Sequence, residues 1–168
     1  VTGLVGTLGG GLLLDIAPRT VKADRQTASL LLALALMGVA WPLCILAFRV
    51  ESYRMFLGLM FVGQLAAFAA IPTINGVLLW CVPGESRPLS MALSVVGIHL
   101  LGDVPSPIVV GAMLEHLPDP RCVLQIVMGW LGWCLVFWAG ACYISHRRHR
   151  KQQATALTQP LLGAEISV

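Results

Sequence analysis

The sequence predicts an all-α integral membrane protein, on the basis of its composition, its long apolar runs and the placement of its basic residues. Apolar residues make up 57% of the 168 residues and only 11% are charged, and the mean hydropathy is +0.82. Soluble domains carry about 25% charged residues. A folded water-soluble globule is therefore excluded as the first interpretation.

The apolar runs are long enough to cross a bilayer, which needs about 20 apolar residues in helical form. Three uncharged runs hold 23, 30 and 24 residues, and a fourth run of 27 is interrupted only by His99 and Asp103. Another apolar stretch precedes Asp15 without a charged leader, which disfavours a secretory signal peptide. We expect five transmembrane helices, the first beginning upstream of Val1, at about 1–17, 28–49, 54–82, 88–114 and 121–145.

The basic residues are divided unequally between the two sides of these five spans. Eight Lys and Arg residues fall on the side that carries the C-terminal tail, and three fall on the other side. Because Lys and Arg favour cytosolic loops, the tail is predicted to be cytosolic. The net charge of +3 then reflects membrane topology rather than nucleic-acid binding. We expect 1–145 to form a helical bundle and 146–168 to be a disordered basic tail.

Small and charged residues pattern the first helix. Gly6 and Gly10 form a G-x-x-x-G pair, a spacing that lets two helix backbones approach closely in lipid. Gly11, Asp15 and Arg19 follow at intervals of four residues, on one helix face near the predicted cytosolic end. An acid and a base one turn apart can pair with each other or with a neighbouring helix terminus.

The stretch HLLGDVPSP, residues 99–107, concentrates residues that are costly within a membrane helix. His99 and Asp103 are four residues apart and so share one face. Each ionisable group costs about 2.5–3.5 kcal/mol at bilayer depth and should face protein or water. Pro105 and Pro107 remove backbone donors, and Gly102 loosens the same turn, which predicts a kinked or bendable helix. The pair either couples protonation to movement or only fixes helix contacts.

Other polar residues could line a groove beside this stretch. Gln64 and Asn75 lie eleven residues apart on the third predicted helix, three turns along one face. Ser94 and Ser106 flank the histidine and aspartate on the fourth. Interhelical hydrogen bonding explains these residues as well as substrate contact does. No catalytic residue set, cofactor motif or metal motif is present, since Ser106 is the lone candidate nucleophile, and we expect no enzyme activity.

The run VPGESRPLSMALSVVGIHLLGDVPSPIVVG, residues 82–111, closely resembles the spinster-like branch of the major facilitator superfamily, nearest to its plant homologues. The segment GLLLDIAPR resembles the cytosolic loop motif of that superfamily, although Ile16-Ala17-Pro18 departs from it. The resemblance implies that the five helices correspond to numbers eight to twelve of twelve, so that an N-terminal half of the fold is missing. It also implies a cytosolic C-terminus.

The resemblance further implies a function and residue roles. Spinster-like proteins carry sphingolipids, sphingosine 1-phosphate or lysophospholipids across lysosomal, vacuolar or plasma membranes, and alternating access with proton coupling is the expected mechanism. His99 and Asp103 would serve coupling, whereas gating or bending would involve Asp15, Arg19, Arg87, Gly102, Pro105 and Pro107. The partners would be a lipid-like substrate, the bilayer and the missing half. The alternatives are a carrier of another small organic solute and a non-transporting membrane scaffold.

Overall fold

The computed structural model describes the backbone of residues 1–21, 25–117 and 119–165, and the side chains of 1–17, 25–117 and 119–148. Within these ranges the structure is helical and contains no strand. The helices are α1 (Thr2–Val21), α2 (Arg25–Ala47), α3 (Tyr53–Trp80), α4 (Arg87–Ile98), α5 (Pro105–His116), α6 (Pro120–Trp130) and α7 (Gly132–Glu165). A 3₁₀ turn, Gly84–Ser86, precedes α4, and a π-helical turn, His99–Asp103, joins α4 to α5.

Four helical segments are long and apolar enough to span a membrane, and a shorter apolar helix precedes them. The spanning candidates are Arg25–Ala47, Tyr53–Trp80, Gly84–His116 and Pro120–Arg148, and the shorter apolar helix is Thr2–Ala17. The all-helical membrane fold expected from the apolar runs is therefore confirmed. The first helix continues to Val21, four residues beyond its predicted end.

Helix α2 is the centre of the described bundle and packs against α1, α3, α6 and α7. Its buried face includes Ala33, Met37, Ala40, Cys44 and Ala47, and this alternating three- and four-residue spacing is that of one helix face. Ala70 of α3 completes the core against this face, with Leu135 and Trp138 of α7 beside it. Most of these side chains are small, which brings the helices close together.

The G-x-x-x-G pair of α1 packs directly on α3, as its spacing predicts. A Cβ atom added at Gly6 would lie 2.7 Å from the backbone oxygen of Leu65, and one added at Gly10 would overlap the backbone of Ala69. Gly9, in contrast, has no neighbour within 4 Å of such an atom. Gly6 and Gly10 thus permit a close contact between the backbones of α1 and α3 that a larger residue would prevent.

Polar contacts join three helices at one end of the bundle. Thr27 Oγ1 and Ser145 Oγ are 2.7 Å apart and link α2 to α7. The amide of Gln26 donates to Cys81 Sγ at 2.8 Å, and the Arg25 guanidinium lies 5.2 Å from the centroid of the Trp80 ring. This is the end at which the basic residues predict the cytosol.

The last predicted span is interrupted, which no sequence pattern predicted. Helix α6 ends at Trp130, and α7 begins at Gly132. The Trp41 indole donates from Nε1 to the Met128 carbonyl oxygen at 2.9 Å, and a Cβ atom at Gly132 would lie 3.0 Å from the same indole ring. A side chain of α2 therefore occupies the notch between the two helices and supplies a donor to a carbonyl there.

The C-terminal tail also differs from its prediction. Helix α7 continues from the membrane segment to Glu165, whereas residues 146–168 were expected to be disordered. Arg, Lys, Gln and Ala dominate residues 147–156, and these residue types have high helix propensity. An established helix can therefore extend through them, because propagation adds a hydrogen bond for each residue ordered.

Replacement of Gly10 by alanine should destabilise the bundle, because the new methyl group overlaps the α3 backbone. We expect Gly10→Ala to lower the free energy of unfolding by about 1–3 kcal/mol, the usual cost of overpacking. The matched control Gly9→Ala adds the same methyl in open space and should be neutral, or stabilising by up to about 1 kcal/mol. Unfolding in mixed micelles measures both, and equal effects of the two variants would contradict the packing.

Removal of the Trp41 donor should weaken the contact between α2 and the α6–α7 break. We expect Trp41→Phe to cost at least about 0.5–1.5 kcal/mol, because the hydrogen bond is lost and the smaller phenyl ring also gives up part of the packing of the indole. The control Trp130→Phe changes an indole that is 75% exposed and should leave the unfolding midpoint unchanged. A destabilisation no larger than that of the control would show that the hydrogen bond is energetically unimportant.

Candidate functional site

The π-helical turn His99–Asp103 is the most unusual feature of the fourth membrane segment. The Val104 amide donates to the His99 carbonyl oxygen at 3.0 Å, five residues back instead of the four of an α-helix. Pro105 begins α5 directly after this turn and has no N–H for the Leu101 carbonyl. The predicted distortion is therefore present, and it takes the form of one widened turn, a feature frequent at functional sites.

The two ionisable side chains of this turn form a close pair. His99 Nδ1 and Asp103 Oδ2 are 2.6 Å apart, and an ionised carboxylate can only accept, so Nδ1 carries the proton of this hydrogen bond. The side chains are 65% and 64% exposed in the described structure. The predicted proximity is confirmed, and the π turn that carries the pair contacts none of α1, α2, α3 and α7.

The segment that carries the pair packs little on the rest of the described chain. No residue of α4, the π turn or α5 is buried. Helix α4 contacts α3, α5 contacts α6, and the π turn contacts only α4 and α5. Its apolar side chains are correspondingly open, with Leu101 79% exposed. This surface is available for lipid or for another part of the protein.

The four predicted cavity-lining residues are not brought into one site by the described residues. Ser94 donates to the Met91 carbonyl at 2.8 Å, and Ser106 donates to the Asp103 carbonyl at 3.3 Å. Both hydroxyls thus bond to their own helical segment. Gln64 is half-buried and Asn75 is exposed on α3, a helix that does not contact the π turn. Only Ser106 adjoins the His99–Asp103 pair.

The predicted gating and hinge residues lie in two separate places in the structure. Asp15 on α1 and Arg87 at the start of α4 are both exposed. The side chain of Arg19 lies outside the described residues, so the Asp15–Arg19 contact remains a prediction. Gly102 lies within the π turn, and Pro105 and Pro107 form the first turn of α5.

Further potential sites are few in the described part of the chain. No group of three or more His, Cys, Asp or Glu side chains there could hold a metal ion. A cavity of about 340 Å³ opens at the opposite bundle end, between the α2–α3 connection and the start of α6. No sequence pattern predicted it, although the aromatic residues clustered around the α2–α3 connection were a usable signal.

Comparison with known proteins identifies transporter relatives. The Organic Anion Transporter Polypeptide (OATP) family matches residues 50–125. Three proteins of Arabidopsis thaliana, named probable sphingolipid transporter spinster homologs 1, 3 and 2, are 39%, 36% and 31% identical. The matches cover 82%, 82% and 99% of this chain and 27%, 26% and 34% of those proteins. No solved structure matches the chain.

These relatives show which proteins the chain is related to and how much of their length it covers. The chain spans about a quarter to a third of the length of the curated relatives that it matches. Its helices are apolar and long enough to cross a membrane, and its relatives are named as transporters. The resemblance to the spinster-like branch of the major facilitator superfamily is confirmed: this chain is an integral membrane protein related to plant spinster homologs.

Proposed function

We propose that this chain is part of a carrier that moves a sphingolipid, sphingosine 1-phosphate or a lysophospholipid across a membrane by proton-coupled alternating access. The observation that carries the proposal is the π turn with its His99–Asp103 pair in a spanning segment. The names of the plant relatives support a sphingolipid substrate. Because the chain spans only part of those relatives, the complete activity also requires the N-terminal half of the fold.

The position of the pair favours a surface that faces protein or water. An ionisable group at bilayer depth costs about 2.5–3.5 kcal/mol on insertion scales, and the pair lies at the middle of the segment Gly84–His116. Because α4, the π turn and α5 have no buried residue in the described chain, one whole face of this segment is free to contact another part of the protein. The proposed arrangement places His99 and Asp103 in a wet cleft between this segment and the N-terminal half.

Protonation of His99 would change the charge of the whole turn. With the imidazole protonated, the pair is a neutral ion pair; with the imidazole neutral, the turn carries the single negative charge of Asp103. Histidine is the side chain that changes charge most readily between about pH 5 and 8. A neutral turn enters an apolar contact at lower cost than a charged one, which would link proton binding to closure of the cleft.

The hinge residues would let the segment respond to that change. A π turn followed by two prolines lacks part of the hydrogen-bond ladder of an α-helix, so bending there breaks fewer bonds. Gating would occur at the cytosolic end through Asp15, Arg19 and Arg87. The proposed location is a lysosomal, late endosomal, vacuolar or plasma membrane, with a cytosolic C-terminus.

Flux measurements on vesicles test the coupling role. With the full-length protein reconstituted, His99→Gln and Asp103→Asn should each lower lysolipid flux driven by a pH gradient at least tenfold. His99→Gln removes the proton-binding group, and Asp103→Asn makes the protonated turn positively charged instead of neutral. The control His116→Gln alters an exposed histidine at the end of α5 and should retain full flux. Retained pH-driven flux in both pair variants would confine the pair to a structural role.

The proline hinge is testable in the same vesicles. Pro105→Ala with Pro107→Ala restores two backbone donors and should straighten the segment, lowering the transport rate about fivefold or more while substrate binding changes little. Pro88→Ala is the matched control: α4 follows a connection and a 3₁₀ turn, so the missing donor of Pro88 interrupts no membrane helix, whereas Pro105 and Pro107 lie inside a spanning segment. Wild-type turnover in the double variant would contradict a hinge at this position.

Carriage of an organic anion is the second candidate, and the match of residues 50–125 to the OATP family favours it. The two candidates differ in the apolar chain of the substrate. Uptake of a water-soluble sulfonated dye without uptake of lysolipid would select the second candidate. If neither the dye nor lysolipid is transported, the remaining interpretation is a non-transporting membrane scaffold.

A further inference from the structure

The cavity at the bundle end opposite the Thr27–Ser145 contact has the features of a small-molecule site. Its volume of about 340 Å³ lies within the roughly 300–1,000 Å³ of ligand pockets. Ala47 and Phe48 line it from the end of α2, Tyr53 and Phe56 from the start of α3, and Arg121 from the start of α6. We call these residues, with Glu51, the outer pocket.

The walls of the outer pocket are aromatic. The Phe48 and Phe56 rings lie 5.9 Å apart between centroids, at an angle of 58°. The Tyr53 side chain stands at the mouth and is 73% exposed. Such walls accept an apolar chain, and aromatic faces also attract quaternary ammonium groups.

Two opposite charges face the same cavity without pairing. Glu51 and Arg121 both line it, yet among the described side chains the only ion pair within 4.0 Å is that of His99 and Asp103. Asp119 accepts from the backbone amide of Arg121 at 2.9 Å. This contact caps α6 through the Arg121 backbone, and none of the described side chains pairs with the Arg121 guanidinium. An acid and a base that line one cavity without forming an ion pair are complementary to a ligand with both charges.

The position of the pocket agrees with an amphiphilic ligand. The α2–α3 connection and the start of α6 border the pocket. Both lie next to membrane-spanning helices, on the predicted non-cytosolic side. Aromatic residues are enriched at this level of a membrane, where lipid headgroups lie. A ligand there can place its chain toward hydrocarbon and its charges toward Glu51 and Arg121.

We infer that the outer pocket binds a zwitterionic amphiphile whose phosphate contacts Arg121 and whose ammonium contacts Glu51 and Tyr53. The site is separate from the His99–Asp103 turn and does not depend on the transport proposed above. The same headgroup chemistry could come from a bilayer phospholipid or from a free single-chain amphiphile.

Binding to the protein in neutral maltoside micelles tests the site. The probe is a single-chain phosphocholine with a photoreactive group on its chain; the comparison ligands are a phosphate monoester and a trimethylammonium of equal chain length. We expect the phosphocholine to bind about tenfold more tightly than either. Arg121→Gln and Glu51→Gln should each weaken its binding at least fivefold, whereas the exposed control Arg54→Gln should stay within twofold. Unchanged affinity in both pocket variants would overturn the site.

Photolabelling identifies the source of the ligand. Labelling of the pocket peptides by a two-chain phosphatidylcholine in nanodiscs would show that a bilayer lipid fills the pocket. Labelling by the single-chain probe alone would show a free amphiphile. Both results support the site, and labelling of neither kind at residues 47–56 or 121–124 rejects it. A transport-inactive protein that still binds the probe would leave this inference intact.

Discussion

Within the hydrocarbon of a membrane, every backbone carbonyl needs a hydrogen-bond donor from the protein, and the rest of this structure depends on that constraint. Regular helices meet it internally, so the two interruptions of the helical segments stand out. At the α6–α7 break the Trp41 indole supplies a donor to Met128. At the π turn the Val104 amide reaches back five residues to His99, ahead of a proline that cannot donate. One interruption is thus closed by a neighbouring helix, and the other stays open.

This difference divides the molecule into a packed part and an unpacked part. Helices α1, α2 and α3 pack mainly through small residues, of which Gly10 on Ala69 is the tightest example, and α7 adds Leu135 and Trp138. The segment from α4 to α5 buries none of its residues in the described chain. A carrier that rocks one half against the other needs such a division, with a rigid unit and a face whose contacts can change. The proposed proton-linked pair lies on the changeable face.

Much of the site followed from residue spacing. The four-residue interval of His99 and Asp103 determined that they meet, and the prolines that follow determined that the helix is distorted there, because both effects are local to one helix. The G-x-x-x-G spacing also predicted that α1 makes a close backbone contact with some other helix. The partner on α3 was not predictable, since a stripe of glycines does not specify which helix it meets.

By itself the sequence determined the helical membrane architecture, the number of apolar segments and the pairing within the π turn. These depend on hydrophobicity and on helical periodicity, which act over a few turns. Only the tertiary structure decided that Trp41 enters the α6–α7 break and that Glu51 and Arg121 face one cavity 70 residues apart in sequence. Both require the packing of helices distant along the chain, and the pattern within one helix does not specify which other helix it meets.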